Sequence, residues 1–339
     1  MASGGTTPTL ATSHLALQAP RRFVRVAKRG RTWGLPRRFP RYFIDTNIQG
    51  MLGNATKWVL RTESAAGPQY LVKYPQKFGE QETYTEFFIN QLGAALGFRM
   101  AESGLVRLDG KLAFLTRIFT SPTETLRHGS LVIEDYYKEE KALDRVRRKE
   151  EQAFYSIDFV AELLEIFVGE DFDDIFPQFI EMLIFDALIG SMDRHAQNWG
   201  VLESVTKPAR YRFAPIFDSA RAVLWSMDEA QVRELSGSRQ AFDAHINRAR
   251  PCLGPKRHHL KNNRCNHFEF VGNLLTLFPG PTENAIRSVP QNVAGRTHAL
   301  LRRFPFQTAF SAPRKKLIVR ILSARAERLR EILLKGGAQ

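Results

Sequence analysis

The chain has 339 residues, 43% of them hydrophobic, and a formal charge of +14 at pH 7. That length and apolar content suffice for one two-lobed unit with a sizeable core, and two cysteines, Cys252 and Cys265, exclude a disulfide-framed scaffold. No apolar run approaches the roughly eighteen residues of a membrane-spanning helix, so no membrane partner is expected and a reducing, cytoplasmic compartment is the default.

Residues 1–44 carry no acidic residue, and nine Lys and Arg side chains fall between Arg21 and Arg41, so much of the excess charge is local. A cationic arm attracts phosphate backbones by releasing counterions. Trp33, Phe39, Tyr42 and Phe43 interleave with the arginines and could stack on bases or pack the arm against the body. A flexible or surface-packed tail accounts for the same composition, and so does an organelle transit peptide.

Gly50 to Lys57 reads as a glycine-containing turn that enters an apolar strand at Trp58. Backbone N–H groups in such a turn can cradle phosphates, and a plain hairpin explains it equally well. Gln69 to Pro75 reads as a second strand, with Lys73 near its end. Glu82 to Gly97 follows with apolar residues at 88, 89, 92, 95 and 96, a helical spacing closed by a C-capping glycine, with Glu86 near its start. Leu112 to Ile118 reads as a further strand.

Residues 121–152 change character. Ser121-Pro122 and Gly129-Ser130 precede a dense alternation of charge up to Glu151, expected as an exposed linker or helix. Helical periods return over 154–167 and 176–189, and the second helix runs directly into Asp193-Arg194-His195-Ala196-Gln197-Asn198. Residues 204–214 read as a polar turn and short strand leading to Ile216-Phe217-Asp218. Cys252, His258, His259, Cys265 and His267 invite a zinc reading, but intervening Lys and Arg residues favour a basic surface segment. From Arg314 to Arg330 basic residues share a helix with apolar ones at 317, 318, 321, 322 and 329, a stripe suited to closing a helical lobe.

Asp193, Asn198 and Asp218 are the parts of a phosphoryl-transfer site: one carboxylate to orient an acceptor hydroxyl, an amide and a second carboxylate to hold metal. The five-residue offset from Asp193 to Asn198 matches that of a kinase catalytic loop, although His195 here follows the Asp. A strand Lys paired with a helix Glu is the usual phosphate clamp in such enzymes, which gives Lys73 and Glu86 a joint role that neither suggests alone.

In this order, Gly53 to Lys57, Lys73, Glu86, Asp193, Asn198 and Asp218 resemble the HipA-like serine/threonine kinases, over roughly residues 45–335. The resemblance implies an α+β, two-lobed protein-kinase-like fold. Its N-lobe, residues 45–120, would be small and β-rich, and its C-lobe, 153–339, larger and mostly helical. It implies ATP and Mg²⁺, with Asp193 as base, Asn198 and Asp218 as metal ligands, Lys73 on the nucleotide phosphates and Glu86 orienting it. Gly53 and Lys57 would belong to the phosphate turn, and the backbone of Leu115, Thr116 and Arg117 would receive adenine. The expected acceptor is a protein Ser or Thr, with a small-molecule acceptor and a catalytically silent binding module as alternatives. A DNA-binding antitoxin is the partner the family suggests. Only about fifty residues precede the turn, so the family's usual N-terminal domain is not expected. Gly53-Asn54-Ala55-Thr56-Lys57 departs from the commoner Gly-x-Gln-Pro-Lys, and Phe217 stands where a Tyr is more usual.

Overall fold

A computed structural model of the chain describes residues 22–24, 42–45, 57–62, 67–108, 110–137, 155–255 and 265–336. Gly53 and the other residues of its turn up to 56, most of the basic arm, His258 and His259 lie outside the described residues, while Lys57 opens a strand.

Six antiparallel strands make the first sheet: β1 (Arg22–Val24), β2 (Tyr42–Asp45), β3 (Lys57–Thr62), β4 (Tyr70–Lys73), β5 (Ser103–Leu108) and β6 (Lys111–Arg117). Their order is β1-β2-β3-β4-β6-β5, and the register places Lys57 opposite Lys73. Two short stretches of the basic arm therefore belong to the sheet, because each finds a ladder of backbone partners in the next strand. Alternation along β4 and β6 gives the sheet two faces. Tyr70, Val72, Ala113 and Leu115 join one small core, while Phe114 joins the main core on the opposite face. On that second face packs α1 (Glu80–Leu96), which buries Phe88, Ile89, Leu92 and Leu96 and ends at Gly97 in the left-handed region.

The segment expected as a linker contains β7 (Glu124–His128) and α2 (Gly129–Tyr136). Its sequence is polar because β7 is only partly covered, and its partner is remote: β7 pairs with β8 (Gly200–Ser204), which pairs in turn with β9 (Tyr211–Phe213).

The C-lobe is helical: α3 (Ile157–Val168), α4 (Phe172–Ile189), α5 (Glu229–Gly237), α6 (Arg239–Arg248), α7 (His267–Leu277), α8 (Pro279–Ser288), α9 (Val293–Leu301), α10 (Phe306–Ala309) and α11 (Ala312–Gly336). The central helix is α4, apolar nearly all round and buried from Phe179 to Ile189 except at Glu181. Along α11, Leu317, Ile318, Ile321, Leu322 and Leu329 are buried while most of its basic residues face outward, as the stripe predicts. Among the described residues no helix is long and apolar enough to cross a membrane.

Candidate active site

Apolar alternation in β4 buries Tyr70 and Val72 on one side of the sheet and so turns Lys73 to the other, toward α1. There its ammonium lies 3.1 Å from Glu86 Oε1 and 2.8 Å from Asp218 Oδ1. Burial pulls the Lys73 ammonium down, but the two carboxylates together outweigh it and hold the group above its ordinary value. Burial pushes Glu86 up, against the attraction of Lys73. One cation thus joins a strand, a helix and a segment 145 residues away.

Gly190 caps α4 in the left-handed conformation, φ 69°, and Ser191 N–H returns to Asp186 O at 2.9 Å, so the chain leaves the helix sharply and reaches Asp193 within one turn. Asn198 Nδ2 donates to Asp193 O at 2.6 Å, which fixes the loop and leaves the amide oxygen as that residue's donor to a cation. Burial pushes the Asp193 carboxyl up; Arg221 and His195 oppose it, and Arg221 Nη1 lies 3.2 Å from Asp193 Oδ1. His195 caps the 3₁₀ turn Ala196–Asn198, its ring accepting from Gln197 N–H.

The residue that organises the site is one sequence reading passed over. Arg194 is 2% exposed, and its guanidinium forks onto Asp186 of α4 at 2.8 and 2.9 Å. It also donates to Asn198 O at 2.6 Å, Phe217 O at 2.7 Å and Ser219 Oγ at 2.8 Å. The loop of Asp193 and the segment of Asp218 are therefore held by one side chain. The signal was present: Asp186 is a single carboxylate inside the apolar run Ile184 to Ile189, and a charge so placed needs a buried partner. His128 is a second missed residue, with Nδ1 donating to Gln197 O at 2.9 Å and its ring edge against Phe217.

A cavity of about 490 Å³ opens above Lys73, lined by Leu71, Glu86, Thr116, Arg117, Phe119, Thr120, Phe217 and Asp218 among others. Thr116 and Arg117 reach it, whereas Leu115 faces the small core behind the sheet. The backbone of residues 115–117 lies between β4 and β5, and Arg117 N–H donates to Glu102 O and Ile118 N–H to Gln69 O. Ile118, Phe119 and Thr120 continue the cavity wall beyond Arg117. The donor set suits a nucleotide and a hard cation: a buried ammonium, a carboxylate and an amide oxygen beside an apolar slot.

Other candidates lie apart from this cavity. His267 is buried, its Nε2 donating to Ser191 O at 2.6 Å, and burial holds its imidazole down at about 3, so it braces the loop as a neutral ring. Cys252 and Cys265 are free, and among the described residues no three His, Cys, Asp or Glu side chains form a metal-holding group.

The HipA-like C-terminal domain model matches residues 49–271. The serine/threonine-protein kinase CtkA of Helicobacter pylori is 22% identical over 242 residues, 66% of this chain and 70% of its own. The crystal structure of the Helicobacter pylori proinflammatory kinase CtkA superposes with a TM-score of 0.67 and 18% identity, covering 84% of this chain and 96% of that one. A chain of the Shewanella oneidensis MR-1 complex of HipA, HipB and operator DNA superposes with a TM-score of 0.52 and 11% identity, over 86% of this chain and 67% of that one. These likenesses place the fold among kinases, with a small β-rich lobe and a larger helical one.

Proposed function

The chain belongs to the HipA-like C-terminal domain family, and from that premise we propose that it is an ATP-dependent kinase whose acceptor is a Ser or Thr hydroxyl of a protein. The observation that carries this reading is the Lys73 ammonium held between Glu86 and Asp218 at the floor of the 490 Å³ cavity. An ammonium so oriented meets the phosphates of a nucleotide without first reorganising, and phosphoryl transfer depends mainly on such positioning.

Leu71 and Phe119 would hold adenine in the slot, beside Thr116 and Arg117. Lys73 clamps the phosphates, and Gly53 and Lys57 of the preceding turn complete the grip by family resemblance. Asn198 and Asp218 would hold Mg²⁺, which supplies charge neutralisation on the phosphate oxygens. Asp193 would accept the hydrogen bond of the acceptor hydroxyl and take its proton as the new P–O bond forms and the bond to the β,γ-bridging oxygen breaks to release ADP. Burial makes its carboxylate more basic, while Arg221 opposes that rise. A protein acceptor is the choice favoured by the activity in the name of the Helicobacter pylori relative. An antitoxin-like partner is suggested by the complex in which the Shewanella oneidensis neighbour was solved.

The test is transfer of labelled γ-phosphate from ATP with Mg²⁺, to the protein itself, generic protein acceptors and a cell extract. Labelled protein that drops by about 10²–10⁴-fold with Asp193→Ala, nucleotide binding being kept, is the expected result. ATP binding without any labelled protein would shift the reading to a small-molecule acceptor or a silent binding module.

A further inference from the structure

Behind the catalytic loop lies a second cavity, of about 60 Å³, whose walls include Gly190, Ser226, His245, Arg248 and Arg325. Three of its lining side chains are basic and none is acidic. Arg325 comes from α11 and is 2% exposed, yet among the described residues its guanidinium meets no carboxylate. Nε donates to Ala187 O at 2.7 Å and Nη1 to Ile246 O at 2.6 Å, carbonyls in the last turns of α4 and α6, and Phe268 lies under the plane at 4.8 Å. Those helix ends offset part of the charge. The remaining nitrogen, Nη2, is buried without a hydrogen-bond partner among the described residues, and so is Nδ1 of His245 on the same wall. A buried guanidinium edge with no acceptor is costly, and an anion with oxygens to spare would remove the cost.

We propose that this cavity is an oxyanion site for a phosphate group, bound by Arg325 Nη2 and His245 Nδ1 in its depth and by Arg248 at its mouth. The phosphate can come from two sources, a free phosphate or a phosphorylated Ser226. Ser226 is half-buried on the cavity wall, eight residues after Asp218, in the segment that leads the chain on from Asp218. The second source rests on the kinase reading above. Ser226 Oγ would bond to the γ-phosphorus of ATP, the bond to the β,γ-bridging oxygen would break to release ADP, and the hydroxyl proton would pass to a carboxylate base. A dianion there would tie residues 222–227 to α6 and α11, and thereby stiffen the segment behind the catalytic site.

Thermal unfolding of the full chain in inorganic phosphate tests the free source, with chloride at equal ionic strength as the reference. The chain carrying phosphoserine at 226, installed during translation, tests the other without requiring the enzyme to be active. A rise of about 2–4 °C is expected with the bound source, saturable where that source is inorganic phosphate. It should vanish in Arg248→Gln, an exposed position that leaves the core intact, and persist in Lys73→Met, which removes the nucleotide clamp. A rise with inorganic phosphate assigns the site to a free anion. A rise only with phosphoserine 226, lost on adding Arg248→Gln, assigns it to the chain's own segment. No rise from either source, or one that Arg248→Gln leaves unchanged, overturns the proposal even if ATP transfer is demonstrated.

Discussion

Arg194→Met is the perturbation that reaches furthest into the structure. The wild-type guanidinium makes its fork to Asp186 with both side chains only 2% exposed, so water neither screens the pair nor replaces the lost partner. Removing one member of such a buried pair costs about 3–5 kcal/mol, most of it the desolvated charge left behind. The carbonyls of Asn198 and Phe217 and the hydroxyl of Ser219 lose their donor as well. Against a typical total of about 5–15 kcal/mol, the variant should be folded but marginal. Urea unfolding at unchanged m-value measures it, and the double variant Arg194→Met with Asp186→Leu separates charge from packing. The double variant should be more stable than Arg194→Met alone, because no buried charge remains. A loss under about 1 kcal/mol for the single variant, or additive losses in the double, would refute the claim that this pair holds the two loops together.

Lys73→Met leaves Glu86 buried without its cation, so the Glu86 pKa, already raised by burial, rises further. The folded state then binds a proton that the unfolded chain gives up, and stability must fall as pH climbs from the ordinary carboxylate value toward the raised one. The melting temperature of this variant should therefore drop between about pH 5 and 8 relative to wild type, and a flat difference would count against the burial of Glu86. Gly129→Ala would set a methyl group into the indole of Trp199, a ring fixed by its Nε1 donating to Tyr155 Oη at 2.6 Å. An overpacking loss of at least about 1–3 kcal/mol in chemical denaturation is expected, and a neutral result would mean that α2 sits further from the ring. Changing Arg25, Lys28, Arg29 and Arg31 to Gln, all outside the described residues, should weaken RNA or DNA binding and flatten its salt slope by about 0.9 for each phosphate no longer neutralised. Identical titrations for both proteins would dismiss the arm as a nucleic-acid contact. Deleting residues 1–43 would be a poorer test, since it removes β1 and cuts into β2.

What could be read from the chain was chemistry at fixed spacing along local elements. Lys73 near the end of an alternating strand and Glu86 on a helix are short-range patterns, and the structure brings them within 3.1 Å. Asp193 and Asn198 belong to one turn, so their relation is also local. Pairing between remote segments was not legible. Nothing in Glu124 to His128 announces that its partner is Gly200 to Ser204, and a half-covered strand looks like a charged linker until that partner is known. Nor does a single apolar strand such as Lys111 to Arg117 reveal that neighbours occupy both of its sides. Arg194, adjacent to an Asp in a polar loop, resembled a solvated charge. Only the pairing with Asp186, eight residues back across a helix end, shows otherwise.

Asp218 shows how these long-range links combine. Among the described residues only Asp218, at φ 52°, and Val223, at φ 56°, adopt positive φ without being glycine, and both follow Phe217 within six residues. Such a conformation costs about 1–2 kcal/mol, which the local chain does not recover by itself. It persists because neighbouring residues are fixed from both lobes. Ile216 exchanges backbone bonds with Arg99 and Ala101 at 2.8 and 2.9 Å, on the side of α1 and β5, while Phe217 O is held by Arg194 of the C-lobe. Val223 N–H is tied to Ile189 O at 3.0 Å, at the end of α4. Asp218 is thus carried by a short span anchored at both ends, and its carboxylate reaches Lys73 only while both anchors hold. A relative movement of the lobes must then act on the Lys73–Asp218 contact, which makes the geometry of the phosphate clamp a readout of how the lobes are set.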